Sequence, residues 1–455
     1  CIRDSTYYNA NSKNSLLNEG IFIIIAVKRP QQVIGSFGEF EFLAFWLEFD
    51  FLQNPYVDNC EMKNLLALQS LNCKITERLS GTQFKKENIV VWGCGALGSK
   101  VSLEMARMGY LTQKLYDNDI LLPHNLVRHE IASQNAIGLN KANALKLEIE
   151  SMYDDAKISV VDNNSFFCED IFEEEIVIDC TASERNLNWS CMSNRIKNRF
   201  IRCEIFMKGK LEGIFIEGRN RNPDAYDMRV FLWYKAMENE IIKIWLNQKN
   251  EENIEFHIGF GCSSDTMVLD DATINNHASI VPHCINKYSQ IDDGTLVINY
   301  FDKDELQNNF IKIFEIEKYI SWKTEDDWVI HCPYEIVQRL SKIACDQTEN
   351  MGIWFGNING RMKRITIADI YIPKDNVRSG GNVTGGIEGV DEKIREVVRN
   401  TGGMINYIGE WHTHPNGLAV PSETDYRAFN TVTKNSKPFL MSIITCNDVG
   451  NWVLT

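Results

Sequence analysis

The sequence has 455 residues, which is enough for two or three domains with sizeable cores. A hydrophobic fraction of 44% and a charged fraction of 24% are typical of globular proteins. The net charge of −15 argues against a general nucleic-acid or anionic-membrane binder, although a local basic site is compatible with it.

The first 84 residues carry strand patterns but no catalytic motif. Ile21–Val27 is apolar and β-branched, and Phe37–Phe51 alternates apolar and acidic residues, so both predict strands. Asn59–Leu71 predicts a helix. Ile21–Val27 is far too short to span a bilayer and lacks the layout of a signal peptide, so no membrane association is expected.

Residues 85–323 alternate between predicted strands and helices. This alternation predicts a mainly parallel sheet covered by helices, that is, an α/β domain. The predicted strands are Ile89–Trp92, Lys114–Asp117, Ile158–Val161 and Ile176–Asp179. One predicted helix ends at Met108, and two others cover Asn140–Met152 and Phe231–Lys249.

The polar, acidic segment Thr324–Asp327 is the expected boundary to a second α/β domain, residues 324–455. This part again alternates helices and strands, with one glycine-rich loop at Ser379–Gly386. The predicted helices are Pro333–Cys345 and Val390–Thr401, and the predicted strands are Gly352–Phe355, Ile365–Ile372 and Tyr407–Trp411.

Two histidines two positions apart are the strongest chemical signal. His412 and His414 are expected on one face of a strand, so their imidazoles can converge on one metal ion. Asp425 can supply a third ligand if the intervening loop folds back. Two nitrogens and one oxygen, with a position left for water, are typical of a catalytic zinc site. The alternative is a chance pair of histidines on a polar strand.

The full pattern, H-x-H-x(7)-S-x-x-D, resembles the JAMM (MPN+) metalloprotease family over roughly residues 328–455. The resemblance implies that Ser422 hydrogen-bonds the reacting centre in addition to capping a helix. It also implies a catalytic Glu in an E-x-x-G-x-x-x-G stretch, which Glu349 begins here; the alternative is a solvated helix end. Glu349 would take a proton from zinc-bound water and pass it to the leaving amine. Such enzymes cleave the bond after the C-terminus of ubiquitin-like proteins.

A glycine motif, Gly93-x-Gly95-x-x-Gly98, lies between the first predicted strand of the α/β pattern and a helix. Asp117 ends the next strand, which completes the Rossmann arrangement of phosphate on a helix N-terminus and acid on a ribose. A nicotinamide-dependent dehydrogenase is therefore the first alternative. A downstream Arg and Lys favour instead a triphosphate that is cleaved, because hydride transfer needs no such positive charge.

The series D-x-D…N-L-x-R…K resembles the ThiF/MoeB and ubiquitin-activating enzyme superfamily over roughly residues 85–290. The resemblance implies ATP, with Asp117 on the ribose and Asn125, Arg128 and Lys141 facing the phosphates. It also implies a symmetric homodimer formed through this domain.

Magnesium and a thioester are two further implications of this resemblance. The family's magnesium-binding Asp lies in a D-x-T-D-N-like turn, where this chain has Ala182; Asp179 is left as the candidate ligand, or as a cap of its strand. Family members that form a thioester carry a Cys in a loop beyond the nucleotide core. Cys262, flanked by glycine and hydroxyl residues, is the best candidate, with Cys203 and Cys284 as rivals.

The thirteen cysteines show no CxxC pair or regular spacing, which indicates reduced thiols in a cytoplasmic protein. The resemblances together predict a bacterial-type fusion of an adenylyltransferase with a JAMM peptidase that acts on a ubiquitin-like protein with a C-terminal glycine. Its setting would be a conjugation or anti-phage system. The alternatives are sulfur-carrier activation for cofactor or cysteine synthesis, and a scaffold with a degenerate nucleotide fold. Residues 1–84 would be a scaffold or dimerisation element, or the remnant of a ubiquitin-conjugating-like domain.

Overall fold

The computed structural model describes most of the chain from residue 19 onwards. The described ranges are 19–31, 38–49, 60–67, 71–81, 87–161, 171–172, 175–248, 256–257, 265–266, 269–345, 348–374, 377–379, 382–384, 389–415, 417–432 and 438–455. Their strands form three main sheets of three, eight and seven strands. Within these ranges, no helix combines the length and the apolar character that crossing a membrane requires.

The first sheet is an antiparallel meander of β1 (Glu19–Lys28), β2 (Phe40–Phe49) and β3 (Cys60–Leu65). The first two strands confirm the sequence prediction. The helix predicted over Asn59–Leu71 is wrong at its start, because Cys60–Leu65 pairs along β2. Pairing with an available strand edge outweighs weak local preference in so short a segment. The helix α1 (Cys73–Ser80) begins only after this strand.

The eight-stranded sheet has the predicted Rossmann-like parallel core. Its strand order is β13-β12-β9-β8-β7-β4-β5-β6, in which β4 to β8 run parallel and the remaining three are antiparallel. The order reverses at β4, so the crevice at the carboxyl ends of β4 and its neighbours is where α/β sheets bind ligands. The strands are β4 (Asn88–Trp92), β5 (Thr112–Tyr116), β6 (Lys157–Val160), β7 (Glu175–Asp179), β8 (Phe200–Phe206), β9 (Leu211–Ile216), the separate short pair β10 (Phe256–His257) and β11 (Asp265–Thr266), β12 (Gly294–Tyr300) and β13 (Phe310–Ile316).

Helices cover both faces of this sheet. One face packs against α2 (Ala96–Arg107), α3 (Lys141–Met152) and α7 (Asp271–Tyr288), and the other against α4 (Glu184–Met192), α5 (Ala225–Tyr234) and α6 (Glu240–Asn247). The single helix predicted over Phe231–Lys249 is therefore divided into two. The break occurs because the Asn239 side chain accepts from Ile241 N and Ile242 N, 3.0 and 3.2 Å away, and starts a new helix.

The seven-stranded sheet has the order β14-β15-β17-β16-β20-β21-β22. Its helices are α8 (Tyr334–Ala344), α9 (Val390–Asn400) and α10 (Glu423–Val432). Its strands, with the separate hairpin β18 and β19, are β14 (Tyr319–Lys323), β15 (Val329–Pro333), β16 (Met351–Asn359), β17 (Arg364–Tyr371), β18 (Val377–Ser379), β19 (Asn382–Thr384), β20 (Asn406–Thr413), β21 (Phe439–Ile444) and β22 (Val449–Leu454).

The expected boundary at Thr324 cuts a hairpin of this sheet. β14 pairs with β15, so the chain passes between the two large sheets after Ile316 and before Tyr319. The acidic segment is the hairpin turn: Trp328 N donates to Thr324 Oγ1 at 3.1 Å, and Asp327 has a left-handed φ of 64°. Polar residues that tolerate this conformation form tight turns as readily as linkers, which explains the misplaced boundary.

A buried ion cluster joins the two large sheets. It consists of Asp224 and Asp227 from α5, His331 from β15 and Arg364 from β17, and is called here the Arg364 cluster. Arg364 donates to Asp224 Oδ2 and to Asp227 Oδ1, each at 2.5 Å, and His331 Nδ1 lies 3.0 Å from Asp227 Oδ2. The Arg364 and Asp227 side chains are only 5% and 0% exposed. The cluster therefore forms a largely buried contact between the two sheets.

Apolar packing continues across the same contact. A single hydrophobic core takes residues from α5 and α6 on one side and from β16 and α9 on the other, including Trp233, Leu246, Ile353, Phe355 and Val397. Gly402, with φ +56°, approaches the backbone of α6 so closely that an added Cβ would lie 2.2 Å from Leu246 O. Only glycine fits this approach, and the two sheets are held as one packed body.

Candidate metal centre and nucleotide site

The two histidines of the sequence motif converge at the end of β20. The Nε2 atoms of His412 and His414 are 3.1 Å apart. His414 Nδ1 is 3.1 Å from Leu418 O, and a carbonyl oxygen can only accept, so Nδ1 carries the proton. This contact leaves the lone pair of His414 Nε2 directed towards His412, as a metal ligand requires.

Asp425 joins the histidines from the first turn of α10. Its Oδ1 is 3.3 Å from His412 Nε2 and its Oδ2 is 3.7 Å from His414 Nε2. Ser422 caps the helix, since Ser422 N donates to Asp425 Oδ2 at 2.6 Å and Asp425 N donates to Ser422 Oγ at 3.3 Å. Burial alone raises the pKa of Asp425, but the bonds from His412 and Ser422 outweigh it and hold that pKa well below its usual range. The carboxylate is thus ionised and aimed at both imidazoles.

Glu349 lies just before β16, which pairs antiparallel with β20. The pairing extends to Asn350, whose N–H donates to Thr413 Oγ1 and whose carbonyl accepts from Thr413 N, both at 2.8 Å. This register puts Glu349 opposite His414, and alternation of side chains puts it on the face that carries both histidines. Glu349 is half-buried. It is therefore positioned to act on a molecule held by the histidines.

The donor set fits a zinc ion. Two imidazole nitrogens and one carboxylate oxygen lie within 4.8 Å of one another. Ligands about 2.0–2.1 Å from a tetrahedral zinc ion are separated by about 3.3 Å, close to the spacing of these atoms. Among the described residues, the other group with suitable donor atoms belongs to the Arg364 cluster, where the guanidinium already neutralises the carboxylates.

The glycine motif forms the predicted turn between β4 and α2. Gly93 has φ +85°, and an added Cβ there would meet Thr181 Cγ2 at 2.9 Å. A Cβ on Gly98 would lie 1.8 Å from Gly93 O, so the helix can pack on the loop only without a side chain there. Gly95 precedes α2, and an added Cβ there would meet nothing within 4 Å. The start of α2 is therefore open to a phosphate.

Asp117 lies directly after β5 and faces the glycine loop. Its Oδ2 accepts from Cys94 N at 2.7 Å and its Oδ1 accepts from Asp119 N at 2.8 Å. Burial raises the pKa of Asp117, although these bonds oppose the shift. The acid thus lies at the edge of the crevice, where a ribose would be recognised.

The three predicted phosphate-facing residues differ in what they contact. The Asn125 carboxamide oxygen accepts from Leu122 N at 2.9 Å and caps a short 3₁₀ helix. Arg128 is half-buried, and burial lowers its pKa. Lys141 opens α3, and its Nζ lies 2.8 Å from Asp119 Oδ2. The ammonium group has further protons to donate, so Lys141 can contact a phosphate while it stays paired with Asp119.

The magnesium role considered for Asp179 does not fit the structure. The Asp179 side chain is completely buried and paired with Arg202 at 2.5 Å. Its other oxygen accepts from Thr181 Oγ1 at 2.6 Å. Ala182, at the position expected to hold the family's metal ligand, has no donor atom. Asp179 instead fixes the end of β7 and the turn that follows it.

Of the three candidate cysteines for a thioester, the structure describes only the two rivals of Cys262. Cys262 lies outside the described residues, as does the predicted loop around it. Its rivals are buried in the core. A hydrogen bond with Cys180 and burial raise the pKa of Cys203, and burial raises the pKa of Cys284 to about 12. Neither rival has the exposed, acidic thiol that a nucleophile needs.

Sequence reasoning missed one residue of the nucleotide site, His129. Its Nδ1 accepts from Ile131 N at 3.0 Å, so its Nε2 carries the proton and donates to Cys94 O at 2.7 Å. Burial lowers the pKa of His129, although the bond to Cys94 opposes this. The neutral imidazole thereby ties the Arg128 segment to the glycine loop. The sequence feature that could have indicated this role is the position of His129 directly after Arg128.

The C-terminal part has clear relatives. A family model described as prokaryotic homologs of the JAB domain matches residues 336–455. The CD-NTase/cGAS isopeptidase of Escherichia coli (strain TW11681) is 31% identical over 127 residues, which are 26% of this chain and 76% of that protein. The chain belongs to the prokaryotic JAB family. Its His412, His414 and Asp425 thus lie within the matched JAB region.

A ThiF-family domain precedes the JAB domain, since the ThiF family model matches residues 70–201. ATP-dependent ubiquitin transferase-like protein Cap2 of Enterobacter hormaechei subsp. hoffmannii (strain UCI 50) is 26% identical over 146 residues. These are 30% of the JAB-family chain, but they span only 23% of the length of Cap2. The E. coli MccB structure with MccA-N7isoASN is 18% identical, with 51% of this chain and 64% of MccB covered at a TM-score of 0.36.

Proposed function

We propose that the JAB domain is a zinc-dependent isopeptidase that cleaves after the C-terminal glycine of a ubiquitin-like protein. The observation that carries this proposal is the convergence of His412, His414 and Asp425, with Glu349 opposite His414 in the strand register. The similarity to a bacterial isopeptidase supports the same reaction.

The chain's own residues account for the other parts of the reaction. A bound zinc ion supplies a water molecule acidic enough to lose a proton near neutral pH. Glu349 accepts that proton and returns it to the leaving amine. The Ser422 hydroxyl accepts from Asp425 N and still has its own proton to donate, so it can stabilise the negative charge that develops on the carbonyl oxygen.

Zinc content tests the metal centre directly. The wild-type protein is expected to carry about one zinc ion per chain, and the double variant His412→Ala/His414→Ala to carry almost none, because a single carboxylate cannot hold the ion. Elemental analysis after dialysis measures this. His283→Ala, at an exposed position of α7, is the matched control and should retain the metal. Unchanged zinc in the double variant would show that the metal is bound elsewhere.

We also propose that the ThiF domain activates the C-terminal carboxylate of the same modifier by adenylation with ATP. The open start of α2, with Asp117 at one edge and Arg128 and Lys141 beyond it, supports a nucleoside triphosphate more than a nicotinamide cofactor. The similarity to Cap2, a ubiquitin transferase-like protein, supports a bacterial conjugation system, and we propose that this system has an anti-phage role. The partners would be a ubiquitin-like protein and a ubiquitin-conjugating-like protein.

Nucleotide binding separates this proposal from the dehydrogenase alternative. Asp117→Ala and Arg128→Ala are each expected to weaken ATP binding by about tenfold, since each loses roughly one hydrogen bond to a charged group. Isothermal titration calorimetry measures the affinity, and NAD should give no binding signal. Lys157→Ala removes an exposed cation at the opposite end of the sheet and should leave ATP affinity unchanged. An ATP affinity that is unchanged by both substitutions would favour the alternative of a scaffold with a degenerate nucleotide fold.

A further inference from the structure

The end of β7 offers no free carboxylate to a metal ion. Asp179 Oδ1 accepts from Thr181 N at 3.0 Å and from Thr181 Oγ1 at 2.6 Å, and Asp179 Oδ2 accepts from Arg202 Nη1 at 2.5 Å. Magnesium bound with a nucleotide usually takes one or two protein carboxylates in addition to phosphates and water. Asp179 is unsuited to this role, because its side chain is completely buried and Arg202 already neutralises its charge.

Arg202 is itself held firmly in place. It also pairs with Glu204, two residues along β8, and donates to Ser183 O at 3.2 Å. Burial lowers the pKa of Arg202, but Asp179 and Glu204 outweigh it, so the guanidinium stays charged. Removing Asp179 from this group would leave a buried charge without one of its partners, which is strongly unfavourable. Arg202 is thus the cation that neutralises Asp179.

The turn after β7 has the shape for an acidic residue but lacks one. Ala182 has φ 53°, a left-handed conformation that is uncommon for alanine and several-fold more frequent for Asp and Asn. Ser183 follows and caps α4 by accepting from Asn186 N at 3.3 Å. Neither residue supplies a carboxylate, although the backbone at 182 suits Asp better than Ala.

The two carboxylates that follow β5 are also engaged. Asp117 accepts from Cys94 N and Asp119 N, and Asp119 is paired with Lys141. Two cations lie close to the glycine loop: Lys141 acts on the Cys94 thiol, and Arg128 directly precedes His129, whose Nε2 donates to Cys94 O. Positive charge for a triphosphate is therefore available from the chain itself, whereas none of the carboxylates described here is free to anchor magnesium.

We propose that this site binds ATP without a magnesium ion held by the chain, and that Arg128 and Lys141 neutralise the triphosphate instead. The inference rests on the proposed function, which assigns ATP to this crevice. It specifies the form of the nucleotide: free ATP is bound as well as its magnesium complex.

Calorimetric titration of ATP in excess EDTA and in excess magnesium tests the wild-type protein. If the chain adds no ligand to the magnesium ion, the ion binds the phosphates of bound and of free ATP equally well, so the two dissociation constants should agree within about threefold. ATP binding that is more than about tenfold tighter in magnesium would overturn the inference alone. Absence of binding under both conditions would overturn the proposed nucleotide function and this inference with it.

A gain-of-dependence variant makes the test sharper. Ala182→Asp adds a carboxylate next to the crevice, so ATP should bind about tenfold more weakly in EDTA than in magnesium. Ala182→Asn is the matched control, because it shares the backbone preference without the charge and should behave like the wild type. Magnesium dependence in both variants would show that the dependence needs no carboxylate at residue 182, and dependence in neither would show that residue 182 does not face the nucleotide; either result would overturn the inference.

Discussion

The Glu349→Gln variant is expected to lose cleavage activity by about 10²–10⁴-fold while keeping its zinc. The amide has nearly the same shape as the carboxylate but cannot accept the proton of the attacking water. Because Glu349 is opposite His414 rather than among the three converging donor atoms, the metal should stay in place. Turnover of a ubiquitin-like protein fused through its C-terminal glycine to a fluorescent reporter measures the rate, and elemental analysis measures the metal.

Glu423→Gln is the matched control for this experiment. Glu423 begins the same helix as Asp425, but its side chain is 82% exposed and pairs with Arg427 on the surface. The control should cleave at nearly the wild-type rate, since a surface ion pair of this kind contributes little. Wild-type turnover by Glu349→Gln would show that Glu349 takes no part in the reaction. Only the assignment of the three metal ligands would then stand.

The Arg364→Met variant is expected to lower the unfolding temperature by about 3–5 °C, equivalent to about 3–5 kcal/mol. Methionine fills a similar volume but leaves Asp224 and Asp227 buried without their cation. Differential scanning calorimetry of the full chain measures the shift. Arg361→Met, at an exposed position just before β17, is the matched control and should change the stability by less than about 0.5 kcal/mol.

The pH dependence identifies the cause of this shift. Burial raises the pKa of Asp224, but Arg364 outweighs it and lowers that pKa from 3.8 to about 2. A lowered carboxyl pKa stabilises the fold above the unfolded value of 3.8, and this contribution is lost as the pH falls through 2. The difference in unfolding temperature between the wild type and Arg364→Met should therefore become smaller as the pH falls from 4 to 2. A constant difference would point to lost packing rather than lost charge.

Features that depend on short spacings were predictable from the sequence. The glycines at 93 and 98 are required by a positive φ and by a close approach within one turn, and both constraints lie inside six residues. His412 and His414 converge because alternation along a strand needs only two positions. The order of strands and helices around them follows from local hydrophobic patterns, which is why the α/β class was correct.

Features that depend on distant partners were not predictable in this way. Asp179 was available as a magnesium ligand in the sequence, but its actual partner, Arg202, lies 23 residues away on the neighbouring strand. Cys60–Leu65 forms a strand because β2 offers an edge for it, which no helical pattern reveals. The position of the junction before Tyr319 likewise depends on pairing between β14 and β15.

The contact between the two large sheets also disfavours mutations that would split the gene into two, one for each sheet. A break near residue 317 would expose Ile353, Phe355 and Val397 on one product, and would leave Asp224 and Asp227 without Arg364 on the other. Each product would carry an aggregation-prone or destabilised surface, so mutations that separate the halves are disfavoured. The proposed conjugating and deconjugating activities are thereby made in equal copy number, and no change in expression can alter their ratio.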